Sequence, residues 1–286
     1  MKNAPDEKKQ ENETEIEASP QSTPLSDEID TETLKAQIIE ILNRIHLGGM
    51  RAKLEELMET LPAERMAPFI SIFALIAVAE DNVRNTNKQN RLLRAADLHL
   101  PNACMEDVEA VEGRHFDVDL LHQLSTCEYI RDHRHVIVTG ATGCGKTYIS
   151  NALATKACRK GFRVKYIRLP DLLNESDAAR KNATYSKFRS TYTRQNLIVI
   201  DEWLLRPLSY EESLSLLDFI DACSNSCSLI FCSQFPVKDW YTRIDGDRDA
   251  NTASTLAEAV LDRIIHNAYS LHISSNASMR KHYGLH

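Results

Sequence analysis

The stretch HVIVTGATGCGKTYISNAL, running from His135 to Leu153, decides the fold. Its first five residues, His135 to Thr139, form a β-branched, apolar run suited to a buried strand. Gly140, Gly143 and Gly145 follow at once, then Lys146 and Thr147, then a helical run from Tyr148. A strand entering a glycine-rich turn that ends in Gly-Lys-Thr and opens a helix is the P-loop pattern in the setting it requires. Glycines let the backbone wrap close to phosphate so that successive N–H groups point inward, and the helix N-terminus adds its positive end. Gly140, Ala141, Thr142, Gly143, Cys144, Gly145, Lys146, Thr147 and Tyr148 are therefore the expected nucleotide-binding set. Lys146 would reach the β and γ phosphates. Thr147 would offer its hydroxyl to Mg2+, a hard cation that also needs a carboxylate.

Working outward, Leu197 to Ile200 read as a second buried strand, ending in Asp201 and Glu202, 55 residues after Lys146. Parallel sheets bind ligands at the carboxyl edge of their strands. Asp201 would hold the magnesium, and Glu202 would orient or deprotonate the attacking water. Taken alone, two acids after an apolar run are also an ordinary polar strand end. The run Arg163 to Ile167 lies between the two motifs, which points to the P-loop subclass with an additional strand there. Ser228 to Cys232 and Tyr269 to Ile273 complete five short runs separated by helix-length segments, the texture of a parallel sheet buried on both faces.

The first hundred residues look different. Residues 1–33 carry 3 Lys against 10 Asp or Glu, which accounts for the whole formal net charge of −7 and leaves the remaining body neutral. Only Met1, Ala4, Ile16, Ala18, Leu25 and Ile29 are apolar there, so this tail cannot bury enough surface to fold. From Leu34 the pattern becomes helical, with a break expected at Gly48 and Gly49. A second helical set follows around Leu54 to Leu61, and a third runs from about Met66 to Leu98, ended by Pro101. The expected organisation is an acidic disordered tail (1–33), a helical domain (34–112) and an α/β domain (113–286). The longest apolar run, Pro68 to Ala79, is shorter than the roughly 18 residues of a membrane helix. With no signal-peptide pattern and seven irregularly spaced cysteines, a cytoplasmic protein with reduced thiols and no membrane partner is expected. Cys223 and Cys227 share a helical face but read as small buried apolar residues, and Cys144 as a small residue in the loop.

Several motifs together resemble the IstB-like ATPases of the AAA+ class, which include transposition helper proteins and have the DnaC-type helicase loaders as relatives. The motifs are Leu47-Gly48-Gly49-Met50, the loop Gly140 to Thr147, Asp201-Glu202 with Pro207-Leu208, and Ser233-Gln234-Phe235-Pro236 through Trp240. Leu261-Asp262-Arg263 and Ser278-Met279-Arg280-Lys281 complete the set. The resemblance covers Leu34 to His286 and implies an AAA+ P-loop NTPase domain, three-layered αβα with a parallel sheet. It implies a Mg2+-dependent ATPase, with Lys146, Glu202, Gln234 and Arg263 as catalytic residues. Gln234 would be the sensor amide facing the γ phosphate, one methylene longer than the asparagine common in the family. Arg263 would reach across a subunit interface to a neighbour's ATP; the competing reading is a surface helix arginine. Asp221 to Asn225 stand where the family often carries an arginine-tyrosine pair.

Two basic stretches remain. Ala178 to Arg194 holds Arg180, Lys181, Lys187, Arg189 and Arg194, interleaved with Tyr185, Phe188 and Tyr192 and free of acids. Composition alone suits DNA contact, with aromatic faces stacking on bases, or equally an amphipathic helix with its aromatics turned inward; the resemblance to AAA+ loaders implies DNA contact here. Arg84, Lys88, Arg91 and Arg94 follow helical spacing along one face, either as a DNA or transposase contact or as a solvated surface. The resemblance implies an ATP-binding and hydrolysing protein that oligomerises on duplex DNA and assists a transposase in target selection. A replicative helicase loader and an ATP-switched DNA scaffold with little turnover are the alternatives.

Overall fold

A computed structural model of the chain describes residues 39–40, 42–43, 46–60, 69–109, 114–246 and 250–275. The acidic tail, most of the first expected helix, and Ser278 to Lys281 lie outside the described residues. The chain divides into two compact units, 1–82 and 83–286.

In the first unit, α1 (Gly48–Thr60) begins at the paired glycines. The expected break therefore sits earlier, at His46, which takes a left-handed backbone with φ 57°. The glycines start a helix instead of ending one. The N–H of Met50 donates to the Glu80 carboxylate over 3.1 Å. α2 (Phe69–Ala96) stops five residues before Pro101, where Asp97 turns with φ 54°, and the expected start at Met66 lies outside the described residues.

The division at 82/83 falls inside α2, not at 112/113 where the sequence texture changes. The reason is burial: Ala96, Leu98, Ala103, Met105 and Val108 belong to the same core cluster as the sheet and its first helix. Helical periodicity marks secondary structure, whereas compact units follow shared apolar contact.

The second unit contains α3 (Met105–Glu109), β1 (Arg114–His115), α4 (Val118–Ser125), α5 (Glu128–Arg131), β2 (His135–Gly140) and α6 (Lys146–Arg159). It continues with β3 (Val164–Arg168), α7 (Leu169–Lys181), α8 (Tyr185–Thr193), β4 (Leu197–Asp201), α9 (Tyr210–Cys223) and β5 (Ser228–Ser233). A 3-10 turn at Val237–Asp239, then α10 (Trp240–Asp245), α11 (Ala250–Ile265) and β6 (Ala268–Ser275) close it. The sheet order is β1-β6-β2-β5-β4-β3, parallel throughout except for β1, which pairs antiparallel with β6. All five expected strands are present. The two-residue β1 was not expected, because Arg114-His115 carries no apolar alternation.

Every residue of β2, β4 and β5 is buried. Alternate side chains serve opposite layers. Val136, Val138, Val199 and Ile230 pack with α6 on one face; Ile137, Ile198, Ile200 and Phe231 pack with α7 to α11 on the other. That two-sided cover is why these strands lack polar alternation. α9 is held by a full capping box, with Ser209 and Glu212 satisfying each other's backbone N–H groups. The crossovers carry the chain back so that β2, β4 and β5 all end on one edge of the sheet, which places the site.

Candidate nucleotide-binding site

A cavity of about 1170 Å³ opens at that edge, lined by Thr142, Gly143, Gly145, Lys146, Thr147, Tyr148, Asp201, Glu202 and Gln234. The loop after β2 is shaped by its glycines. A Cβ on Gly140 would lie 2.2 Å from the Ile273 carbonyl oxygen, and Gly145 caps α6 with φ 99°. Gly140 has no room for a side chain, and the left-handed backbone at Gly145 disfavours one. Lys146 donates to the carbonyls of Gly140 and Ala141, both at 2.8 Å. Cys144 is buried in the core, with its sulfur 4.0 Å from the Lys146 Nζ. The Tyr148 hydroxyl donates to Asp107 over 2.9 Å, which ties the start of α6 to α3, and burial pushes its pKa up to about 12.

Asp201 is 7% exposed. Its carboxylate accepts hydrogen bonds from the hydroxyls of Thr147 (2.9 Å) and Tyr166 (3.0 Å) and from the N–H of Glu202 (2.8 Å). The Tyr166 phenol is pushed strongly upward, chiefly by burial and then by the Asp201 charge. Three donors on a buried carboxylate fix its orientation. Glu202 takes φ 54°, a sparsely populated conformation for a residue with a Cβ, and its carboxylate stands 3.8 Å from Arg168. The turn sends two adjacent acids in different directions, Asp201 toward Thr147 and Glu202 toward Arg168.

Gln234 follows β5. Ser233 donates to the Trp203 carbonyl over 3.0 Å and accepts from the N–H of Phe235, while Trp240 donates to the Phe235 carbonyl. These bonds explain the Ser-Gln-Phe-Pro…Trp motif: it locks the segment that presents Gln234, whose side-chain oxygen accepts from the Thr142 hydroxyl.

A family model for IstB-like ATP binding proteins matches residues 41–285. The chain belongs to the IstB-like ATP-binding protein family. It is 33% identical over 195 residues to the ATP-binding protein described for insertion sequence IS1162 of Pseudomonas fluorescens, covering 68% of this chain and 84% of the relative. An insertion-sequence ATP-binding protein of Sinorhizobium fredii is 30% identical over 248 residues, covering 87% and 96%. Similar solved structures include a DnaC helicase loader (21% identity, TM-score 0.44, covering 54% of this chain and 86% of that one). The replication initiator DnaA bound to AMPPCP and single-stranded DNA is also similar (18%, TM-score 0.47, 66% and 57%).

In this IstB-like chain, the remaining expected residues are dispersed. Arg263, on α11, lies outside the cavity; its Nε donates to Asp221 over 2.8 Å and its Nη1 to the Ala259 carbonyl over 2.7 Å. Arg180 pairs with Asp218 and stacks over Tyr185, and Lys181 pairs with Asp177. Both acids lie outside 178–194, which is why the stretch looked uncompensated. Phe188 and Tyr192 are core residues at 9% and 1% exposure, so they are not free to stack on bases, and the inward reading of those aromatics holds. Lys187, Arg189 and Arg194 lie on or just after α8, away from the cavity. Arg84, Lys88, Arg91 and Arg94 are all exposed on α2.

Sequence reasoning missed Tyr166, Arg168 and Arg114, all lining the cavity. For the first two a signal existed: they alternate along β3, and Arg168 is in register with Asp201 on β4. For Arg114 there was none.

Proposed function

We propose that this chain binds ATP with Mg2+, hydrolyses it, oligomerises on duplex DNA and assists a transposase in choosing its target. The observation that carries the catalytic part is the buried Asp201 carboxylate hydrogen-bonded to Thr147, with Glu202 beside it at the cavity. Among the described residues no cluster of three or more His, Cys, Asp or Glu could hold a metal. Mg2+ needs less: one carboxylate, a hydroxyl, phosphate oxygens and water, and Asp201 with Thr147 supplies an all-oxygen pair of that kind. The bound ion would neutralise charge on the phosphates. Lys146 would bind the β and γ phosphates, and Glu202 would orient the attacking water. Gln234 would face the γ phosphate, and Arg263 would act in a neighbouring subunit's site. The insertion-sequence relatives support the transposase role, and no described helix is long and apolar enough to cross a membrane, consistent with cytoplasmic work on DNA. The exposed stripe Arg84, Lys88, Arg91 and Arg94 is the better supported DNA surface; Lys187, Arg189 and Arg194 are secondary candidates, and Arg180 and Lys181 are engaged by acids.

The deciding experiment is steady-state ATP hydrolysis without DNA, with single-stranded DNA and with duplex DNA, alongside particle size in the same samples. Duplex-stimulated turnover with growing oligomers is expected. Stimulation by single strands alone would replace this reading with a helicase loader. A second reading, an ATP-switched scaffold with little turnover, is favoured by the Arg263–Asp221 pair, which holds the finger residue within its own subunit; assembly without turnover would establish it.

A further inference from the structure

Arg114 is 8% exposed, and its Nε, Nη1 and Nη2 atoms are all buried without a hydrogen-bond partner among the described residues. No carboxylate of the described residues stands within ion-pair distance of it. The guanidinium lies against the phosphate loop: its Cζ is 3.4 Å and its Nη1 and Nη2 are 3.6 Å from where a Cβ on Gly145 would sit. It lines the same cavity as Gly143, Lys146 and Thr147. A guanidinium does not shed its proton to escape burial, so a buried, unpaired one is costly unless an anion completes it. Its planar fork matches two phosphate oxygens at once.

We propose that Arg114 is a phosphate ligand for the bound nucleotide, delivered from outside the P-loop motif by the antiparallel edge strand β1. The inference rests on the ATP-binding reading of this cavity. Gln234 bonds Thr142 and Asp201 bonds Thr147, so the groups expected at the γ phosphate form a separate set that Arg114 does not touch. Arg114 stands at Gly145, the residue that opens α6, and therefore acts on phosphates common to ATP and ADP. Among the described residues β1 has two register pairs, Arg114 with Ser275 and His115 with Ser274 on β6. Nucleotide phosphate would supply the missing partner for this short strand.

The test measures ATP, ADP and GTP affinity by calorimetry, with thermal melting of the nucleotide-free protein, for wild type, Arg114→Gln, Arg114→Lys and Lys146→Ala. Arg114→Gln is expected to melt at or above the wild-type temperature without nucleotide and to lose at least about tenfold in affinity for both ATP and ADP. Its ATP-to-GTP preference should not change. Arg114→Lys keeps the charge without the fork, should lose a smaller factor, and carries the test if the glutamine variant does not fold. ADP binding within twofold of wild type in both variants would overturn the proposal. So would a lowered melting temperature with intact affinity, which marks a structural arginine, or a changed base preference, which moves the contact to the base. If wild type itself binds neither nucleotide and matches Lys146→Ala, the ATP-binding reading fails and the Arg114 assignment with it.

Discussion

The carboxyl edge of the sheet and the basic stretch over α7 and α8 are both rich in charge, and they use it in opposite ways. At the edge, Asp201 and Arg114 are buried, one saturated by three donors and the other without a partner. Along α7 and α8, Arg180–Asp218 and Lys181–Asp177 are pairs with side chains 40% to 72% exposed. Water screens the second set, so these pairs contribute little to stability. Burial makes the first set sensitive to every change of partner. Charge density in a sequence therefore says little about function until burial is known.

The comparison can be broken first at Lys146, where Lys146→Ala is expected to abolish ATP binding by calorimetry while the fold persists by circular dichroism. Retained affinity would mean that the loop is a structural turn. Next, Arg263→Ala should leave ATP affinity unchanged and lower hydrolysis by about a thousandfold, the size expected of an arginine finger. Unchanged turnover would make Arg263 a surface residue paired with Asp221.

A buried group in the sheet offers a third contrast. His135 is fully buried, its Nδ1 accepts from the N–H of Leu229, and burial followed by the nearby His133 charge lowers its pKa to about 4. The unfolded chain then binds the proton more readily than the folded one between pH 6.5 and about 4. This term of stability is present at neutral pH and is lost on acidification, by about 1.4 kcal/mol per pH unit in that window. Urea titrations at pH 7 and 4.5 should show the loss, and His135→Gln should remove this part of the slope.

Smaller effects belong to the surface. Replacing Arg84, Lys88, Arg91 and Arg94 by alanine should weaken duplex binding and flatten its log-log salt dependence by about 0.9 for each phosphate contact removed. Replacing Lys187, Arg189 and Arg194 should do less. A reversed order would transfer the DNA surface to α8. The smallest change is expected for Asp218→Ala, under about 1 kcal/mol by denaturant melts, because both partners are exposed.

The five parallel strands, the phosphate loop and the two acids at the end of β4 were legible in the amino-acid order because each depends on neighbours in the chain. Apolar β-branched runs form strands buried on both faces, and glycines at 140, 143 and 145 permit a backbone that wraps anions. The same sequence hid which charges are neutralised, since Arg180 meets Asp218 38 residues away and Arg263 meets Asp221 42 residues away. It hid Arg114 as well, because a two-residue edge strand has no periodicity. Periodicity placed the helices, but the common core of Ala96 to Val108 with the sheet set the division at 82/83. Local chemistry determined what this chain binds with; burial and long-range pairing, which exist only once the layers close, decided which charged residues are left to act.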